Sequence, residues 1–275
     1  MYRVEKWSFD FSNEYAYKYA GRYGAKGEKR AKKVKPTPEQ IKKQNQTNRV
    51  NKLRRLIKAN FKVDDIWATL KFQKGTRVTV ERLNKCITKF IAYLKYRYKK
   101  ISQDFKWIYR KEIGRRGGAH VHFIINRFEG GDTDKLIKAA WKSAGGYSIN
   151  YECLYEQGGY EDLAEYIAKL PDEQVDNQLS LFPEEERKQF KAYSCSRNLI
   201  RPEPEVKECR RRTVRKLIEN GPVATPGYYI DKNSIYCGTN PFTGMSYYRY
   251  TEFRLGTEAR YKPPWLDDDE GGRDG

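Results

Sequence analysis

The chain has 275 residues and a formal net charge of +19, which fits one large domain or two small ones with a basic surface. A pI near 9.6 favours a polyanionic partner. The sequence contains neither an apolar run of about 18 residues nor an apolar segment near its start, so we expect no membrane span and no signal peptide. The five cysteines are scattered and never in CxxC spacing. These features predict a soluble, cytoplasmic protein with reduced thiols.

The positive charge is concentrated at two places. Residues 1–60 hold 17 Lys or Arg against 5 Asp or Glu, and a second basic run covers Arg210–Lys216. Aromatic residues make up 14% of the chain, including 22 tyrosines interleaved with the charge. This combination suits base stacking and phosphate contacts on a nucleic acid better than lipid headgroups.

The N-terminal part of the chain shows no apolar period. We interpret residues 1–36 as an extended or partly disordered arm. Thr37 with Pro38 and Gln40 has the pattern of a capping box, which predicts a helix from there to about Asn60. This helix is basic on most faces, so we expect only its C-terminal half to pack.

Residues 61–170 predict an α+β fold. The order β-α-β-β-α-β-α is typical of an antiparallel sheet, here of about five strands, with helices packed on it. The predicted strands cover residues 65–72, 105–113, 119–126 and 147–155. The predicted helices cover residues 80–98, 133–143 and 160–170.

The rest of the chain predicts a small C-terminal extension that contains β-strands. Strand-like segments cover residues 192–199, 228–236 and 246–255, after an acidic stretch at 173–186. We divide the chain into a basic N-terminal arm and helix, a core domain, a C-terminal extension and an acidic disordered tail, at residues 1–60, 61–172, 173–262 and 263–275. No GxxxxGK[ST] motif for binding nucleotide phosphates is present.

The chain has only two histidines, His120 and His122. On a strand both point to the same face, so their imidazoles can share one ion. If the two strands pair across a three-residue loop, Arg115–Gly117, then Glu112 lies opposite His120 and Arg110 lies opposite His122. Two imidazoles and a carboxylate then converge on a site for Mn²⁺ or Mg²⁺, with zinc also open.

Two observations leave other interpretations open at this point. A one-residue slip of the hairpin would turn Glu112 to the other face and leave it an ordinary surface carboxylate. An HxH pair also arises by chance in half-buried strands.

Metal-assisted phosphodiester chemistry also needs a nucleophile. A metal-bound water, a serine or a tyrosine could serve. Tyr166 and Lys169 lie at positions i and i+3 of a predicted helix, where the ammonium could lower the pKa of the phenol or neutralise a phosphate. The YxxK pattern alone carries little information in a chain so rich in tyrosine and basic residues.

Three motifs in this order resemble those of the HUH endonucleases. They are a Thr-containing strand, Trp67–Lys71, the Glu-x₇-His-x-His pattern that ends at His122, and Tyr166-x-x-Lys169. The HUH endonucleases are the rolling-circle replication initiators of plasmids, single-stranded phages and small circular DNA viruses. Flanking stretches are similar to a bacterial, Firmicute-type group of these replication proteins, at residues 23–30, 35–40, 53–61 and 193–199.

The resemblance implies the HUH nuclease fold and a mechanism in a bacterial cytoplasm. Tyr166 would attack a phosphate in single-stranded DNA, forming a 5′-phosphotyrosine and freeing a 3′ hydroxyl. Glu112, His120 and His122 would hold the ion, with Lys169 near the nucleophile.

The resemblance also bears on the accessory residues and partners. Asp162 stands where two-tyrosine members carry their second tyrosine, which implies a single-tyrosine enzyme with Asp162 and Tyr160 as accessory candidates. The expected partners are single-stranded DNA, an origin hairpin and a host helicase, with no membrane and an open oligomeric state. The candidate DNA contacts are all basic: Lys52, Arg54, Arg55, Lys58, Arg110, Arg115, Arg116, Arg210, Arg211 and Arg212.

Four alternatives remain at this stage. An HUH transposase or a conjugative relaxase would make the same phosphotyrosine, although relaxases usually carry a third histidine. A cupin oxygenase shares the start of the HxH motif but needs a further histidine. A non-enzymatic DNA-binding copy-control or packaging protein would use the two histidines structurally.

Overall fold

A computed structural model describes residues 1–20, 36–113, 118–154, 157–169, 193–240 and 244–256. The chain divides into two compact units. The central unit comprises the described parts of residues 46–200, and the terminal unit comprises those of residues 1–45 and 201–259. Each unit has its own antiparallel sheet, so the predicted α+β class is confirmed.

The elements are numbered here in chain order over the described residues. The strands are β1 Tyr2–Ser8, β2 Ser12–Tyr19, β3 Ile66–Lys71, β4 Trp107–Ile113, β5 Ala119–Ile125, β6 Ser148–Cys153, β7 Ser194–Cys195, β8 Glu205–Cys209, β9 Tyr228–Ile230, β10 Tyr236–Thr239 and β11 Ser246–Arg254. The helices are α1 Pro38–Asn60, α2 Val80–Lys100, α3 Thr133–Ser143, α4 Glu161–Ala168 and α5 Arg211–Asn220. Short 3₁₀ turns cover Gln157–Tyr160 and Lys232–Ser234.

The central unit contains the predicted five-stranded antiparallel sheet, in the order β6-β3-β5-β4-β7. Alternation along the strands gives this sheet two different faces. Val121, Phe123 and Ile125 of β5 belong to the core that includes α2 and α3. Ile124 belongs to a second core formed with α1 and α4. The intervening residues His120 and His122 therefore share the face of the sheet that α1 and α4 cover.

The predicted capping box begins α1. The Thr37 N–H donates to Gln40 Oε1 at 3.0 Å, and the Gln40 N–H donates to Thr37 Oγ1 at 3.2 Å. The buried residues of α1 all lie from Val50 onward, which confirms that its C-terminal half packs. Asn60 at its end bonds both the N–H and the carbonyl of Ile200, each at 2.8 Å.

The terminal unit contains a six-stranded antiparallel sheet. Five strands follow the order β10-β11-β2-β1-β8, and β9 also pairs with β11. Val214 of α5 packs with Tyr2, Tyr248 and Tyr250 on one face of this sheet. The unit is therefore built from strands near both ends of the chain.

The structure corrects the expected arm at residues 1–36. Tyr2–Tyr19 form the hairpin β1-β2 rather than an extended arm. Tyr15, Tyr17 and Tyr19 alternate along β2 and pack as apolar side chains against the cluster around Tyr250. An apolar period that excludes tyrosine misses this strand.

The C-terminal extension contains more regular structure than expected. The sequence patterns did not indicate β8 or α5, and the predicted strand at 228–236 is interrupted by the turn at Lys232–Ser234. The acidic stretch at 173–186 and the tail at 263–275 lie outside the described residues. All five cysteines are free, and within the described segments no helix is long and apolar enough to cross a membrane.

Candidate active site

The β4-β5 hairpin has the predicted register. Glu112 pairs with His120, and Arg110 pairs with His122. On the other side of β5, Thr69 of β3 pairs with His122. The loop that closes the hairpin, with Arg115 and Arg116, lies outside the described residues.

Three side chains from three elements meet above this hairpin. The Tyr166 hydroxyl donates to Glu112 Oε2 at 2.6 Å and lies 3.0 Å from His122 Nε2. Glu112 Oε2 and His122 Nε2 are themselves 3.0 Å apart. Helix α4 thus places a phenol directly against the predicted carboxylate and imidazole.

His122 is held from its other side by two residues of β3. Thr69 Oγ1 lies 3.1 Å from His122 Nδ1, and the Trp67 ring stacks on the imidazole with centroids 5.4 Å apart and planes 14° apart. Trp67 also meets the Tyr166 ring edge-on at 6.1 Å. A neutral His122 that donates its Nδ1–H to Thr69 presents the Nε2 lone pair toward Glu112.

The electrostatics favour an ionised carboxylate beside neutral imidazole. The hydrogen bond with His122 lowers the pKa of Glu112 to about 2, against the opposing effect of burial and with help from Tyr166 and the nearby Arg110 charge. Burial lowers the pKa of His120, as do the positive charges of His122 and Lys71. Both protonation states are those in which these side chains bind metal ions.

The residues fit a divalent ion in donor type and in one spacing. Two ligand atoms at right angles on an ion with bonds of about 2.1 Å lie about 3.0 Å apart, as Glu112 Oε2 and His122 Nε2 do. His120 lies on the same face opposite Glu112. No group of three His, Cys, Asp or Glu side chains within the described residues is assembled as a metal site, so His120 does not join the pair in this structure.

Arg110 was expected to contact DNA, but it lies beneath α4. Its side chain is 4% exposed, and its guanidinium donates to the backbone carbonyl of Tyr166. The guanidinium carbon also lies 5.4 Å from the centroid of the Tyr166 ring. Burial lowers the pKa of Arg110. The signal for this place was the register itself, because it puts Arg110 opposite His122.

The structure does not support the helical spacing argument for Lys169. Helix α4 ends at Ala168, and Lys169 has left the helix with φ −58° and ψ 130°. Pro171 explains the early end, because proline has no N–H for the helix and disfavours helical geometry in the residue before it. Lys169 is therefore three residues from Tyr166 without sharing its helical face.

The two accessory candidates occupy different environments. Asp162 is exposed in the first turn of α4. Tyr160 is 3% exposed and packs in the apolar core shared with α1 and α4. Its φ of 62° is left-handed, which makes it a buried corner residue before the helix.

The remaining basic candidates divide by exposure. Arg54 forms an ion pair with Glu161 of α4 at 3.4 Å, and its side chain is 11% exposed. Arg55 and Lys58 are half-buried, whereas Lys52 is exposed. Exposed positions at the start of α5 are held by Arg210, Arg211 and Arg212.

Comparison with known proteins places this site in a family context. Residues 65–171 match a family model described as Replication-associated protein, of the ORF2 type, a family of rolling-circle replication initiators. The matched segment includes both histidines, Glu112 and Tyr166, and it supports a role in replication initiation. No curated protein and no solved structure matched the chain in the corresponding comparisons.

Proposed function

We propose that this protein initiates rolling-circle replication by nicking and rejoining one DNA strand through Tyr166. The observation that carries the proposal is the contact of the Tyr166 hydroxyl with both Glu112 and His122, at 2.6 and 3.0 Å. These residues lie in the segment similar to replication-associated proteins. A tyrosine in this position is a nucleophile with two proton acceptors beside it.

The reaction is a transfer of one phosphoryl bond. Tyr166 Oη attacks the scissile phosphorus, the bond from phosphorus to the 3′ oxygen breaks, and the 3′ oxygen leaves as a hydroxyl after taking up a proton. The Glu112 carboxylate and the His122 imidazole lie within reach of the phenolic proton. A divalent ion, Mn²⁺ or Mg²⁺, held by Glu112, His122 and His120 would polarise the phosphate.

The phosphotyrosine bond suits a replication cycle. It conserves the energy of the phosphodiester, so the freed 3′ hydroxyl can prime synthesis and a later 3′ end can be rejoined without ATP. We further propose that the substrate is single-stranded DNA at an origin hairpin in a bacterial cytoplasm, that a host helicase separates the strands, and that Lys169 acts beside the nucleophile or the ion.

A covalent capture assay tests the proposal. The full chain is incubated with Mn²⁺ and single-stranded oligonucleotides that tile the DNA flanking its own gene, and denaturing gels are used to detect protein-DNA adducts. We expect an adduct that Tyr166→Phe abolishes while the affinity for the same strand is retained. Tyr160→Phe, which removes the other candidate hydroxyl, should retain the adduct.

Two outcomes would contradict the proposal. An unchanged adduct in Tyr166→Phe would assign the nucleophile to another residue. Tight binding of single strands without an adduct on any of them would favour a non-enzymatic DNA-binding protein.

A further inference from the structure

Arg110 is a buried cation directly beneath the proposed nucleophile. Resting on the proposed function, we infer that Arg110 is a positioning residue that holds Tyr166 in line with Glu112 and His122. Its guanidinium contacts both the backbone carbonyl and the aromatic ring of Tyr166. One side chain of the sheet thus reaches both parts of the tyrosine.

The backbone contact fixes the end of a short helix. Helix α4 has only eight residues, and a helix of that length is not stable by itself in water. The carbonyls of its last turn, Tyr166 included, lack partners within the helix. A cation that donates to one of them satisfies the carbonyl and interacts favourably with the helix dipole. Arg110 therefore ties the end of α4 to strand β4.

The ring contact orients the side chain. The guanidinium carbon lies 5.4 Å from the Tyr166 ring centroid, a cation–π distance, while Trp67 meets the ring edge-on. These contacts restrict the torsions that would swing the hydroxyl away from Glu112. Lysine could supply the charge but not the planar fork that reaches a carbonyl and a ring together.

The frame that carries Arg110 also carries the other members of the site. Arg110 and Glu112 lie two residues apart on one face of β4, and Arg110 pairs with His122 on β5. The position of the nucleophile is thus set by the same hairpin that positions the carboxylate and the imidazole. Because Arg110 is 4% exposed, its loss should affect the rate of attack rather than the binding of DNA.

Single-turnover kinetics separate these effects. The variants are Arg110→Met and Arg110→Lys, and the matched control is Arg127→Met, since Arg127 also donates to a backbone carbonyl, that of Asp64 at 2.6 Å. The measurements are the rate of adduct formation, the affinities for the oligonucleotide and for Mn²⁺, and the thermal midpoint. We expect Arg110→Met to lower the rate about 10- to 100-fold, with both affinities unchanged within about two-fold, and Arg127→Met to resemble the wild type.

Rescue experiments distinguish positioning from general packing. Arg110→Lys should recover part of the lost rate, and it decides the question if Arg110→Met fails to fold. Guanidinium ion at low millimolar concentration should raise the rate of Arg110→Ala, whereas urea, which has a similar shape and no charge, should not.

The outcomes that overturn the inference are distinct from failure of the proposed function. A wild-type rate in both Arg110 variants, or a rate that falls only in parallel with DNA affinity and thermal midpoint, would show that Arg110 does not position the nucleophile. An absence of adduct in the wild-type protein itself would refute the nicking function, and the role of Arg110 would fall with it.

Discussion

At the scale of single residues, the site depends on side chains that support the reacting groups. Thr69 Oγ1 lies 3.1 Å from His122 Nδ1, on the side of the imidazole away from Glu112. In metal sites such a partner fixes the tautomer and orientation of the ligating histidine. Thr69 therefore has a role that its place in the first sequence motif did not reveal.

Substitution of Thr69 tests this role. Thr69→Val keeps the shape and removes the hydroxyl, so Nδ1 loses its partner and Nε2 is no longer held ready for an ion. We expect Mn²⁺ affinity, measured by calorimetry or electron paramagnetic resonance, to fall about tenfold. Thr69→Ser retains the hydroxyl and should bind Mn²⁺ like the wild type. Equal affinities in all three proteins would mean that His122 is not a ligand supported by Thr69.

The sequence predicted some of these residues and missed others for a physical reason. Glu112 could be placed beside His120 because strand alternation and a short loop determine cross-strand neighbours. Arg110 was assigned to DNA because arginine is usually exposed. Only the packing of α4, whose contact with β4 links positions 110 and 166, shows that this arginine is buried.

At the scale of elements, local signals were reliable and non-local ones were not. The α1 capping box and the β4-β5 hairpin involve residues close in the chain, and both were predicted. Strand β1 pairs with β8, and β2 pairs with β11, about 200 residues away in the sequence. No local pattern specifies such partners, so the sheet of the terminal unit was not anticipated.

One buried carboxylate connects the strands of that sheet. Glu252 is fully buried and accepts hydrogen bonds from the Asn13 amide at 2.9 Å, the Tyr15 hydroxyl at 2.9 Å, and the Thr225 N–H and hydroxyl at 3.1 and 2.8 Å. Burial opposes ionisation, but these bonds outweigh it and lower the pKa of Glu252. The ionised form therefore stabilises the terminal unit.

Acidification should weaken this sheet. Because the pKa of Glu252 is lower in the folded protein than its ordinary value of 4.5, the stabilisation is complete above that pH and is lost as the pH falls through the folded value. Glu252→Gln should cost about 2 kcal/mol at neutral pH. Hydrogen exchange of β2 and β11, corrected for intrinsic rates, should accelerate in this variant and lose this acid dependence. Unchanged protection in Glu252→Gln would contradict the role of Glu252.

At the scale of the whole molecule, the charge of +19 has two consequences. Attraction to nucleic acid is general and salt-sensitive, whereas cleavage depends on the few contacts around Tyr166. Much of the basic run at Arg210–Lys216 lies on the exposed side of α5, whose Val214 packs into the sheet of the terminal unit. We expect these arginines to contact phosphates and to carry no part of the chemistry.

Salt dependence separates the two activities. Arg211→Gln combined with Arg212→Gln removes two exposed charges, so the slope of log affinity against log salt for an origin-hairpin duplex should become shallower by about 2. The adduct rate on a saturating short single strand should not change, because neither arginine belongs to the site at Tyr166. A control with the same charge loss, Lys138→Gln combined with Lys142→Gln on α3, should leave the slope nearer to the wild-type value. Equal slopes in both double variants would mean that binding follows net charge alone and that α5 is not a specific phosphate-contacting element.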